Sequence, residues 1–250
     1  MKTDVKELYG PTCYVTANRG SGGSARVCVP LIAELLHPSS VVDVGCGQGE
    51  WLRVFAEQGV SDYQGIDGDH VADDQLLIPS ERFRRHDLQQ PLNLGRRFDV
   101  ALSLEVAEHL PARSAESFVR TLAGLAPAVV FSAAVPGQGG VHHVNEQWPW
   151  YWKELFAREG YVQLDPFRQV VWKQKEVAVY YQHNLFLYVD PTVRGDVVER
   201  IGVPDRLEEL TLVRTTIVKE LTKPNWAIRL LQRARNRVSR VFGRRGASST

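Results

Sequence analysis

Residues 41–50 read Val41-Val42-Asp43-Val44-Gly45-Cys46-Gly47-Gln48-Gly49-Glu50. A β-branched run beginning at Ser40 stops on three glycines at alternate positions. A helical stretch, Glu50 to Gln58, follows and is closed by Gly59. Glycines at such a turn let a ligand lie against the main chain at a helix N-terminus, where unpaired N–H groups point outward. Dinucleotide sites space these glycines as G-x-G-x-x-G. Here the third glycine comes one residue early and Glu50 stands in its place, which argues against a nicotinamide enzyme.

Working outward, Ala25 to Leu36 has a helical period of apolar residues and ends at His37-Pro38. Strands are predicted at Tyr63–Ile66, Arg82–Arg85, Phe98–Leu104 and Ala128–Ala134, with late strands at Val162–Leu164 and Leu185–Val189. Helices are predicted at Ala112–Leu125 and at Glu146–Arg158, the latter with Asn145 as N-cap and Gly160 as stop. Strands alternating with helices predict an α/β fold, a mostly parallel central sheet with helices on both faces. Such sheets bind ligands at the carboxyl ends of their strands. Gly45–Gly49, Asp67, Asp87, Glu105 and His142 all fall at those ends. Residues 1–24 read as a flexible lid segment, 25–190 as the main domain and 191–250 as a helical extension.

Composition narrows the class. The 250 residues carry 30 Lys+Arg against 29 Asp+Glu, a net charge of +1, and 44% are hydrophobic. That is enough apolar material for a core, and the near-zero charge argues against a nucleic-acid partner. Cys13, Cys28 and Cys46 are too few and of odd number for a disulfide framework, and no signal-peptide pattern opens the chain, so a cytoplasmic setting is expected.

The run Asp43-x-Gly45-x-Gly47-x-Gly49, then Asp67, Asp87 and Phe98-Asp99-Val100-Ala101-Leu102-Ser103-Leu104-Glu105, resembles, in order and spacing, the motifs of class I S-adenosylmethionine-dependent methyltransferases over roughly residues 25–190. The resemblance implies the Rossmann-like methyltransferase fold, with S-adenosylmethionine held by Asp43, Gly45, Cys46, Gly47, Gly49, Asp67, Gly68, Asp87, Leu88 and Leu104. Asp67 would bind the ribose hydroxyls and Asp87 the adenine. Cys46 reads as a small loop residue, since nothing basic adjoins it.

Glu105-Val106-Ala107-Glu108-His109 is a second constellation. A helical turn after the fourth strand would bring positions i, i+3 and i+4 to one face. Two carboxylates and an imidazole suit a divalent ion such as Mg²⁺ or Mn²⁺. The loop after the fifth strand, Val141-His142-His143-Val144-Asn145-Glu146, lies beside it in a parallel sheet and offers another ligand. The run resembles the E-x-x-E-H metal site of small-RNA 2′-O-methyltransferases, and quinone-pathway enzymes carry a similar run. Metal-dependent sugar O-methyltransferases of bacterial polysaccharide synthesis are the nearest setting. On that resemblance Glu105, Glu108, His109 and His142 hold the metal, and His142, His143 or Glu108 takes the proton. Two alternatives stay open at these residues: a metal-free catalytic role and a turn without chemistry.

The expected reaction is O-methylation of a sugar or glycoside hydroxyl. The alternatives are a metal-free methyltransferase acting on a quinone or natural product, and a cofactor-binding module without chemistry. Trp148 and Tyr14 are candidate acceptor contacts, while Trp152, Leu155 and Phe156 read as core. The tail after Pro224 alternates aliphatics with seven arginines and has no acid, which suits an anionic membrane surface at the inner face of the membrane, a homodimer contact or nucleic acid, the alternative being a solvated tail with no partner.

Overall fold

A computed structural model describes the backbone of residues 11–204 and the side chains of residues 21–204. Its elements run α1 (Pro11–Leu36), β1 (Ser40–Val44), α2 (Glu50–Glu57), β2 (Asp62–Asp67), β3 (Phe83–Arg85), β4 (Val100–Leu104) and α3 (Ala115–Leu125). They continue as β5 (Ala128–Ser132), α4 (Pro149–Arg158), β6 (Val162–Leu164), α5 (Arg168–Val171), α6 (Val179–Asn184), β7 (Phe186–Val189) and α7 (Gly195–Ile201).

The strands form one sheet in the order β3-β2-β1-β4-β5-β7-β6. All pairs from β3 to β5 are parallel, and β7 pairs antiparallel with both β5 and β6. The chain order reverses between β1 and β4, the crevice in which open α/β sheets bind ligands. This is an open, Rossmann-like α/β fold, a mostly parallel sheet covered by helices on both faces.

Period-two alternation splits the core into two layers. Val41, Val100, Leu102 and Val130 face α1, α2 and the Val177–Leu185 segment. Val42, Val44, Ala101, Val129 and Phe131 face α3 and α4. On that second side Phe156 stacks on Tyr188 at 3.9 Å, with Phe131 edge-on to both. Val197 of α7 belongs to the first layer, so the core continues past Asp190.

Two expectations are corrected. Residues 19–24, read as a flexible loop, belong to α1. Their glycines serve close packing: a methyl at Gly22 would meet a Glu50 oxygen at 2.7 Å, and one at Gly23 the Glu176 carbonyl at 2.6 Å. The fourth helix begins at Pro149, with Trp148 rather than Asn145 at the cap position, because proline fits the first helical turn. The two short helices α5 and α6 had no sequence signal of their own. The basic tail, its membrane and dimer roles, and most of the 191–223 stretch lie outside the described residues. No helix among those described is long and apolar enough to cross a membrane.

Candidate active site

A cavity of about 1190 Å³ opens at the carboxyl ends of β1, β2, β4 and β5. Its floor is the glycine turn. Gly45 and Gly47 both hold left-handed backbone, φ 89° and 54°, a conformation that costs other residues free energy. At Gly45 a methyl would also lie 2.3 Å from a Val106 methyl, whereas at Gly47 it would meet nothing within 4 Å. The turn is therefore packed beneath and open above, a cradle with room for a ligand against its backbone. The Gly45 and Cys46 amides donate to the Ile66 carbonyl, which ties the turn to β2.

Asp67 ends β2 and is buried. One of its oxygens accepts from the Gly47 amide at 2.6 Å and the other from the Gly68 amide at 2.7 Å. Burial nonetheless pushes its carboxyl pKa up, against the lowering effects of His70 and those two amides. Asp43, at the same depth in β1, is pushed up to about 7 by burial and by the Asp67 charge. Cys46 lines the cavity, but burial and the two neighbouring carboxylates raise its thiol pKa well above the ordinary value, so it is no ready nucleophile. Gly68, Asp87, Leu88 and Leu104 also line the cavity. Gly49 does not; it packs on Ile78 and starts α2.

The second wall carries the acid–histidine cluster. Glu105 follows β4 in left-handed backbone, φ 56°, and Ala107–His109 form a single 3-10 turn. The left-handed bend at Glu105 followed by this turn brings Glu108 back within reach of the Glu105 charge. The loop after β5 is tied to this turn, since the Val144 and Asn145 amides both donate to the Glu108 carbonyl.

Glu108 is fully buried, and neither of its carboxylate oxygens has a hydrogen-bond partner. Burial and the Glu105 charge raise its pKa well above the carboxylate range. His109 is pushed down to about 4 by burial and by the nearby His143, so its imidazole is neutral. The two rings meet edge-on at 4.9 Å. Glu108, His109 and His143 place one ligand atom each within 4.8 Å of one another. Orphaned carboxylate oxygens beside two imidazole rings fit a divalent cation, which supplies positive charge and accepts their lone pairs.

The expected metal set differs at two positions. Glu105 turns one oxygen to the Gln138 amide at 2.6 Å and lies outside the group of three. His142 is exposed, in left-handed backbone at φ 61°; this residue lines the cavity while His143 takes the place in the cluster. Adjacent residues diverge in direction, so both border the cavity but only His143 joins the group of three. Trp148 does not line the cavity, and the Tyr14 side chain lies outside the described residues. In their place the sequence reading missed Tyr180 and Tyr181 of α6, which line it together with Trp51. Tyr181 packs edge-on to Trp51 at 5.3 Å, and Trp51 donates its indole N–H to Ser21 at 3.0 Å.

Residues 24–170 match a protein family described as "Methyltransferase domain". No curated protein matches the chain. Among solved structures, the chain is similar to magnesium protoporphyrin IX methyltransferase (ChlM) from Synechocystis PCC 6803 with bound SAH. The two share 19% identity over 74% of this chain and 91% of that one, at a TM-score of 0.52. It is also similar to SAM-bound CalS10, an amino pentose methyltransferase of calicheamicin biosynthesis from Micromonospora echinaspora. That pair shares 16% identity over 76% and 98%, also at 0.52. At these identities the likeness is one of fold.

Proposed function

This chain belongs to the methyltransferase-domain family and is an S-adenosylmethionine-dependent methyltransferase, and we propose that it methylates a hydroxyl of a sugar or glycoside with the assistance of a divalent metal. The observation that supports this reading most is the fully buried Glu108, without a hydrogen-bond partner, grouped with His109 and His143 on the wall of the cavity that holds the glycine turn.

S-adenosylmethionine, when bound, supplies an electrophilic methyl group. The Gly45–Gly47 backbone and Asp67 would hold it: the turn offers open space above Gly47, and Asp67 lines the same cavity beside it, where a carboxylate would accept from ribose hydroxyls. A sugar hydroxyl is a weak nucleophile at neutral pH and must shed its proton as the methyl arrives. Mg²⁺ or Mn²⁺ held by Glu108, His109 and His143 would act as a Lewis acid toward that hydroxyl. His142, exposed at the cavity mouth, is a candidate to take the proton. Tyr180 and Tyr181 offer aromatic faces to an acceptor in the same space. We further propose that the arginine-rich tail contacts an anionic membrane surface or a second copy of the chain.

The test is transfer of labelled methyl from S-adenosylmethionine into a glycan extract, run with excess EDTA and then with Mg²⁺ or Mn²⁺ restored. Turnover should vanish and return. Full activity in EDTA after exhaustive dialysis would remove the metal and favour a metal-free small-molecule acceptor.

A further inference from the structure

His143 reaches the cluster with one ring nitrogen already engaged. Its Nδ1 lies 2.9 Å from Glu146 Oε1. The same Glu146 carboxylate accepts the Gly139 amide on Oε1 at 3.1 Å and the Gly137 amide on Oε2 at 2.8 Å. Two backbone N–H donors already point at this carboxylate, and its oxygens act as acceptors, so the proton shared with the imidazole is assigned to Nδ1. Nε2 then carries the ring's free lone pair. The ring is also seated sterically: any side chain at Gly140 would collide with it, a methyl there falling 2.1 Å from Nε2.

We infer that Glu146 is a positioning residue that fixes His143 as the Nδ1–H tautomer and so presents Nε2 as a metal ligand. The inference rests on the metal reading above for its purpose, though not for its geometry. Free imidazole prefers the proton on Nε2, the atom a metal would need bare. A carboxylate on Nδ1 reverses that preference and raises the basicity of the other nitrogen, the usual arrangement behind a ligating histidine. Glu146 also anchors the Gly137–Gly139 segment on either side of Gln138, whose amide donates to Glu105. One carboxylate thus orients a histidine and holds the loop that reaches the second acid.

The test uses ¹⁵N-histidine-labelled full-length protein at pH 8, with the His143 signals assigned by their loss in His143→Ala. Long-range ¹H–¹⁵N correlation reads the tautomer, and Mn²⁺ titration followed by electron paramagnetic resonance reads metal affinity. Wild type should show His143 protonated on Nδ1, and Glu146→Ala should move the proton to Nε2 and weaken Mn²⁺ binding about 10–100-fold. A wild-type His143 carrying its proton on Nε2, or a tautomer unchanged in Glu146→Ala, overturns the inference. The wild-type spectrum decides alone if that variant fails to fold. If the tautomer behaves as stated but wild type binds no Mn²⁺, Glu146 orients His143 and the metal reading is what fails.

Discussion

Replacing Asp43 with asparagine should stabilise the ligand-free protein at neutral and alkaline pH, and by a calculable amount. Asp43 is 2% exposed in the middle of the sheet, in register with Gly65 and Leu102 of the flanking strands. Burial first, and the Asp67 charge second, raise its pKa from 3.8 to about 7. The folded chain therefore holds a proton that the unfolded chain releases between pH 4 and 7. Stability falls across that interval, because the native state binds more protons than the unfolded one. At about 1.4 kcal/mol for each pH unit, the loss from this one group reaches about 4 kcal/mol and is complete above pH 7. Asparagine keeps the shape without the ionisation. Urea unfolding of both proteins from pH 4 to 8 should give a stability difference that grows through this window and then levels off. At pH 8 that corresponds to a rise in melting temperature on the order of 10 °C. A bound cationic cofactor should reverse the preference, so wild-type affinity for S-adenosylmethionine should climb as pH rises toward 7 and the variant should lack that climb. A stability difference that is flat from pH 5 to 8 would show that Asp43 ionises as an ordinary carboxylate, and the reasoning from its burial would fall.

Asp67→Ala should weaken S-adenosylhomocysteine binding tenfold or more in titration calorimetry, since the acceptor of ribose hydrogen bonds is worth about 1.5–3 kcal/mol when charged; unchanged affinity would remove Asp67 from the cofactor site. His143→Ala should cut methyl transfer and Mn²⁺ binding together. His142→Ala should leave Mn²⁺ binding intact and slow transfer about 10²–10⁴-fold if that ring is the base, so loss of metal binding in the His142 variant would contradict the geometry. A chain ending at Lys223 should retain S-adenosylhomocysteine binding and lose salt-sensitive binding to anionic vesicles; equal vesicle binding by both chains would leave the tail without that role.

The parts of this fold that follow local rules were legible. Val41, Val42 and Val44 before alternate glycines announced a strand, a turn and a helix, and the alternation along the chain placed the acids at the strand ends. What escaped depended on neighbours distant in sequence. Gly22 and Gly23 read as loop because glycine disfavours helix, yet Gly23 lies in a helix whose backbone is crowded by the Glu176 carbonyl, where a side chain would not fit. Tyr180 and Tyr181 sit on a six-residue helix too short to show a period, and tertiary contacts such as Tyr181 on Trp51 and Ala178 to Ser24 bring them to the cavity. His142 and His143 are the same residue type side by side, so composition could not choose between them; the left-handed backbone at His142 does.

That backbone detail points to how the site is held. Three non-glycine residues among those described adopt positive φ: His37, Glu105 and His142. Two of the three line the cavity. Left-handed backbone in such residues costs about 1–3 kcal/mol and persists only where the surroundings over-determine it. At Glu105 the surroundings are explicit: its amide donates to the Ser132 carbonyl and hydroxyl, and its carboxylate accepts from Gln138, which accepts in turn from Asn184. Around His142 the flanking residues do the fixing, with His143 held by Glu146 and Val144 hydrogen-bonded to Glu108. Both strained residues are thus braced from β5, α6 and the loop between β5 and α4, elements that carry few of the motif residues. On the proposed function the glycine turn would hold the cofactor, while these bracing contacts fix which side chains line the opposite wall of the cavity, and the choice of chemistry would lie in that second layer.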